Sequence, residues 1–215
     1  MIFWLEIYIK KLLFLFLVLG YNKDEDVIIV RYHHKMRLIR LRAYLIMDGY
    51  KRTNFLVKHK VFAATGENFF FQPRIIPADP RLIKFGNNVV VGSGTTFINH
   101  DGIDLVLNKM PDIRWFKYQC GCIEVGNNVF IGGNSNIMPN VKIGDNVIIA
   151  AGSIVTKDIP SNSVYGGVPA KKIMTFDEYV EKRRKKNETL VEYDGTKDSE
   201  DAIWRQFYES KKEKN

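Results

Sequence analysis

Between Val125 and Pro160 the chain repeats every six residues, VGNNVF, IGGNSN, IMPNVK, IGDNVI, IAAGSI and VTKDIP, and an aliphatic residue opens every hexad. Position one holds Val125, Ile131, Ile137, Ile143, Ile149 and Val155. Position five holds Val129, Ser135, Val141, Val147, Ser153 and Ile159, all aliphatic or small. A period of six suits a coil of short strands and not a helix. In such a coil no rung buries its apolar face alone, so each must stack on the next.

The frame extends upstream. FGNNVV, VGSGTT and FINHDG follow from Phe85, and imperfect hexads begin at Thr65 and Phe71. The hexad starting at Pro77 is padded by two residues before Phe85 restores the frame. If three hexads make one triangular turn, Phe85 stacks on Val125 and Ile143, Val91 on Ile131 and Ile149, and Phe97 on Ile137 and Val155. Every ladder is apolar, as a buried axial column requires, and alternate side chains point outward. Asn87-Asn88, Asn127-Asn128 and Asp145-Asn146 fall at matching corners, where residues that tolerate a left-handed backbone are needed.

The flanks do not repeat. Residues 1–60 read as a helical and apolar N-terminal segment, residues 61–174 as the coil, and residues 175–215 as a helical C-terminal extension. The first twenty residues are strongly apolar but carry Glu6, Lys10 and Lys11, and the uninterrupted run Leu12–Leu19 is short of the roughly 20 residues that cross a bilayer. Packing on the protein, contact with a membrane surface and a signal peptide all remain open for them. Met36, Ile39, Ala43 and Ile46 recur at helical spacing, and the helix ends at the turn signal Asp48-Gly49. Phe176–Lys186 reads as a basic helix capping the open end of the coil. Trp204, Phe207 and Tyr208 suit one short helix docking on the body.

The 215 residues suffice for one core, and 46% hydrophobic with 26% charged residues excludes a disordered chain. The net charge of +8 favours anionic partners. No aromatic-interleaved basic motif or zinc-finger spacing accompanies it, which argues against nucleic acid. Cys120 and Cys122 are too few for a disulfide framework and lack a second pair for zinc, so a reducing compartment fits best.

The coil is interrupted from residue 102 to 123, and a loop of this length must leave the stack. It carries Trp115, Phe116 and Tyr118, aromatics suited to stacking on a sugar or an adenine. His100 sits just before it, at an outward position of the hexad. An imidazole there is placed to take a proton from a hydroxyl near neutral pH. Asp101 or Asn99 is available to orient it, and stacking sets Asn140 one rung below on the same face.

These hexads, the histidine before an interrupting loop, and the ending AGSIVTKDIPSNSVYGGVPAKKI (151–173) resemble the hexapeptide-repeat acyltransferases, in particular the galactoside, maltose and capsular-sugar O-acetyltransferases. The resemblance covers about half the chain. It implies a mainly β fold, a left-handed parallel β-helix, a homotrimer, and acetyl-coenzyme A (acetyl-CoA) bound between neighbouring coils. It implies His100 as general base, with a backbone N–H near Gly132 or Gly133 for the oxyanion. For the donor it points to Phe130 beside the pantetheine, to Gly132, Gly133 and Ala151 as small groove residues, and to Thr156, Lys157, Pro169, Lys171 and Lys172 further along. For the acceptor it points to Gln72, Asn99, Trp115 and Asn140.

Gln72 stands where galactoside-type enzymes hold an asparagine, which implies a different acceptor. That departure, with the apolar N-terminus, suggests a lipid-linked saccharide at the cytoplasmic face of a membrane, contacted through residues 1–20. A zinc carbonic anhydrase on this coil would need three histidines, and only His100 lies in the repeats. The alternatives left open are N-acetylation of an amino sugar, serine acetylation, and a non-catalytic scaffold.

Overall fold

The computed structural model describes residues 23–111 and 115–212, with side chains described from residue 34. What the sequence suggests for residues 1–20 lies outside the described residues. Helices α1 (Lys23–Leu45) and α2 (Gly49–Lys58) precede β1 (Ala64–Thr65) and β2 (Phe70–Phe71). Then come β3 (Ile83–Phe85), β4 (Val89–Val91), β5 (Thr96–Phe97), the short helix α3 (Ile103–Leu107), β6 (Ile123–Val125), β7 (Val129–Ile131) and β8 (Asn136–Ile137). Strands β9 (Lys142–Ile143), β10 (Val147–Ile149), β11 (Ile154–Val155), β12 (Ser163–Gly166) and β13 (Lys171–Met174) follow, and helices α4 (Phe176–Asn187) and α5 (Lys197–Lys212) end the described chain.

Successive strands enter three different sheets, with orders β1-β3-β6-β9, β2-β4-β7-β10-β12-β13 and β5-β8-β11. All pairings are parallel except β12 with β13. The chain is therefore a coil of three faces, and its register follows the hexad frame. Phe85 pairs with Val125 and Val125 with Ile143. Val91 pairs with Ile131 and Ile131 with Ile149, while Phe97 pairs with Ile137 and Ile137 with Val155. All nine side chains are buried in one continuous core. Ser135 and Ser153 interrupt the apolar interior but bond inward, their Oγ atoms donating to the Gly132 and Ala150 carbonyls at 2.8 and 2.6 Å.

One corner is an asparagine ladder. Asn68, Asn88, Asn128, Asn146 and Asn162 all have φ between +52° and +57°. Most L-residues avoid that region, at a cost of about 1–2 kcal/mol, whereas asparagine visits it readily. The side chains also tie rungs together: Asn88 Nδ2 donates to Asn128 Oδ1, and Asn128 Nδ2 to Asn146 Oδ1, each at 2.9 Å.

The ends of the coil differ from the sequence reading in three respects. The first helix ends just before Asp48-Gly49 as expected, but a second helix that the sequence did not announce starts at once, and the Asp48 side chain accepts the Lys51 N–H at 2.8 Å and caps α2. The sequence of α2, GYKRTNFLVK, has too few apolar residues to announce a helix by periodicity. It buries Thr53 and Leu56 and also Arg52, whose guanidinium donates to the Ile46 carbonyl at 2.9 Å and to that of Gln72. Desolvation, and then the charge of Arg74, lower the pKa of Arg52 against the pull of Asp48.

At the other end, β13 folds back antiparallel on β12 and shares the covering of the last rung with the following helix, to which the sequence assigned that task alone; Asn162 Nδ2 donates to Asp177 Oδ2 of that helix at 2.8 Å. That helix, α4, starts with a capping box between Thr175 and Glu178. Helix α5 does not dock through its aromatics. Trp204, Phe207 and Tyr208 pack on one another and remain 45–59% exposed. No helix among the described residues is long and apolar enough to cross a membrane.

Ile131 lies fully buried in the central ladder, so Ile131→Ala is expected to lose about 2–5 kcal/mol in chemical denaturation. Asn128→Gly keeps the left-handed corner and is expected to be milder than Asn128→Ala, which loses both the ladder bonds and the backbone preference.

Candidate active site

His100 lies three residues beyond the end of β5, where the coil breaks off, and its imidazole is half-buried. Nδ1 is 2.8 Å from Asp79 Oδ2. Among the described residues Nε2 makes no hydrogen bond. Asp79 belongs to the padded stretch before β3 and precedes a short 3-10 turn, Pro80–Leu82. The ring of Tyr118 stands 5.2 Å from the imidazole, tilted by 40°. Desolvation first, then the adjacent Cys120 and Asp79, raise the pKa of the Tyr118 phenol above its ordinary value.

The interrupting segment returns to the coil beside this histidine. Cys120 forms an antiparallel bridge with His100, and the Gly121 N–H donates to the Asn99 carbonyl at 2.5 Å. Gly121 must be small, because a Cβ there would come within 2.7 Å of the Asn140 nitrogen on the next rung. Earlier in the segment, the Asn108 side-chain amide clamps both the N–H and the C=O of Phe116, at 3.0 and 2.8 Å.

The residues expected to orient His100 or to bind the acceptor are placed as follows. Asp101 turns its Oδ1 to the backbone N–H of Ile103 at 3.2 Å, ahead of α3, and the carboxylate on the imidazole is that of Asp79. Asn99 is buried, its Nδ2 donating to the Gly121 carbonyl of the return strand at 3.2 Å, while its Oδ1 has no partner among the described residues. Gln72 accepts the Ser93 N–H at 3.1 Å, bridging two rungs. Trp115 is 92% exposed, and it is Tyr118 that meets the imidazole. Asn140 lies at a corner with φ +61° and is exposed beneath Gly121.

The residues expected around the donor lie mainly on the six-stranded sheet and its end. Phe130 is 46% exposed on the outer face, in register with Val90 and Ile148, and the three form an apolar column. The Gly132 N–H is committed to the Ile149 carbonyl at 2.8 Å and is not free to meet an oxyanion. The Gly133 N–H makes no hydrogen bond among the described residues. Gly133 is small for an internal reason, since a Cβ would lie 2.8 Å from the Ser93 carbonyl oxygen. Ala151, Thr156 and Lys157 are exposed, as are Pro169, Lys171 and Lys172 in the β12–β13 hairpin. No group of three or more His, Cys, Asp or Glu side chains suited to a metal ion occurs among the described residues.

Sequence reasoning singled out His100 but not Asp79, the carboxylate on its imidazole, which is 21 residues away. The available signal was the two-residue padding of its hexad, an irregularity in an otherwise strict frame.

The family model "Bacterial transferase hexapeptide (six repeats)" matches residues 123–157. Protein CapG of Staphylococcus aureus is 48% identical over 103 residues, spanning 47% of this chain and 58% of CapG, so the chain matches somewhat over half of that relative. The "Putative acetyltransferase YvoF" of Bacillus subtilis is 30% identical over 153 residues, spanning 70% of this chain and 81% of YvoF. Among solved structures, a galactoside acetyltransferase in complex with coenzyme A superposes with a TM-score of 0.53 at 26% identity, covering 75% of this chain and 88% of that one.

The close approach at Gly133 carries a test that needs no ligand. Gly133→Ala is expected to cost about 1–3 kcal/mol by overpacking, lowering the melting temperature of the ligand-free protein by roughly 2–10 °C in a thermal scan.

Proposed function

The chain belongs to the hexapeptide-repeat transferases, and from that premise we propose that it transfers an acetyl group from acetyl-CoA to a hydroxyl of a saccharide, with His100 as the general base. The observation that carries this reading is the half-buried imidazole of His100, held at Nδ1 and unengaged at Nε2, where the coil opens beside Tyr118. Acetyl transfer is what the names of YvoF and of the galactoside enzyme state, and the latter structure holds coenzyme A. The saccharide acceptor is supported by the galactoside in that enzyme's name.

In the proposed reaction Nε2 of His100 takes the proton of an acceptor hydroxyl as its oxygen attacks the thioester carbonyl. The new C–O bond forms while the carbonyl electrons move to oxygen, and the unengaged Gly133 N–H is a candidate donor to that oxyanion. Collapse breaks the C–S bond. The departing thiolate recovers the proton from the imidazolium, so an acetyl ester and free coenzyme A leave with no covalent enzyme intermediate.

The donor's place is proposed along the outer face of the six-stranded sheet, from Phe130 to the Pro169–Lys172 hairpin, with Lys157 contributed from just beyond β11 of the three-stranded sheet, and the lysines would meet its phosphates. The apolar column Val90, Phe130 and Ile148 suits a second copy of the chain, which supports a homotrimer of left-handed coils with the donor held between them. A donor of this kind places the reaction in the cytoplasm.

The test is thiol release from acetyl-CoA with a panel of saccharides. His100→Ala is expected to lower kcat by about 10²- to 10⁴-fold with the fold intact. An unchanged rate would move the base elsewhere.

A further inference from the structure

We propose that Asp79 is the positioning residue for His100, and that Arg40 of α1 secures the loop that carries it. This rests on the reading of His100 as the general base and gives the padded hexad a function. A hexad of normal length there would supply the third face of its turn, beside β5, and lead straight into β3. The extra residues let the chain bulge and set Asp79 Oδ2 at 2.8 Å from His100 Nδ1.

The bulge is held on both sides. Pro77 and Pro80 are buried and flank Ala78-Asp79, so the backbone around the carboxylate has little freedom. The Arg40 guanidinium donates from Nη2 to the carbonyls of Pro77, at 2.9 Å, and Ala78, at 2.5 Å. The Arg40 Nε is buried and has no partner, so its place is set by these two bonds and by packing. On the far side Arg81 donates to the carbonyls of Lys60 and Phe62, at 3.0 and 3.3 Å. Two successive carbonyls that enter no sheet thus hang from one arginine between two buried prolines, and the residue they present is the carboxylate on the imidazole.

The chemical consequence concerns the tautomer. A carboxylate accepts and does not donate, so a neutral imidazole bonded to Asp79 carries its proton on Nδ1 and leaves the Nε2 lone pair facing outward. That is the form able to take a proton from a hydroxyl. The same carboxylate stabilises the imidazolium once formed and fixes the plane of the ring. Asparagine at this position can donate to Nδ1, which favours the tautomer with the proton on Nε2, where it cannot act as a base. The Ser-His-Asp triad shows the same logic in another setting.

The test combines kinetics with ¹⁵N-labelled histidine NMR of the coenzyme-free protein. In Asp79→Asn the imidazole nitrogens of His100 are expected to move towards the Nε2–H pattern. Its kcat is expected to fall about 10²-fold while KM for both substrates stays within about 2-fold, and Asp79→Glu is expected to recover part of the loss. Arg40→Met leaves the carboxylate in place but loosens its loop, and is expected to lower kcat about 10-fold with a mixed tautomer pattern. An unchanged Nδ1–H pattern in Asp79→Asn would overturn the positioning role whatever the activity. A changed tautomer with unchanged kcat would instead show that the pair exists but that His100 is not the base, so the two failures are distinguishable.

Discussion

The whole structure depends on one constraint, that each rung must stack in register on the next. A strand of two or three residues has no stability of its own, and its apolar residues are covered only when the same hexad position of the adjacent turn lies above them. The pairings Val91–Ile131–Ile149 and Phe97–Ile137–Val155 therefore define both the hydrogen-bonded ladder and the core. A one-residue slip would turn every inward side chain outward. Corner chemistry follows from the same demand: the left-handed asparagines repeat because each turn must close at the same angle, and their side chains bond to one another because they are brought into line.

A regular coil offers little chemistry, because each rung spends its polar backbone groups on its neighbours. The Gly132 N–H illustrates this, being already bonded to the Ile149 carbonyl. Groups become available where the repeat fails. It fails at the padded stretch before β3 and again after β5, and the two departures meet at His100, one bringing Asp79 and the other Tyr118 and Cys120. The ends of the chain obey the same rule in reverse. Helix α2 with its buried Arg52 covers the first rungs, and β13 closes the edge of the six-stranded sheet.

Legibility tracked the range of the interactions involved. The ladders were readable because stacking imposes a strict period on the chain, and the corner asparagines because backbone conformation is local. Asp101 was the natural orienting partner for His100 by adjacency, yet neighbouring residues on an extended segment point to opposite sides, and Asp101 bonds instead to the Ile103 N–H. The smallness of Gly133 read equally well as room for a ligand, and the distance to the Ser93 carbonyl shows an internal reason. The aromatics of α5 promised a docked face by their spacing, but spacing cannot say whether a face finds a partner.

The sequence by itself determined the coil, its three-sided register, its corners and the place where it breaks, because all of these follow from a period and from local backbone preference. Only the tertiary structure decided which carboxylate reaches the imidazole, which aromatic ring stands beside it, and which backbone amide near the glycine pair is unengaged. Those are contacts between segments some twenty residues apart, made where the chain leaves its period. They depend on how far two irregular segments reach in space, and a repeat pattern carries no information about that distance.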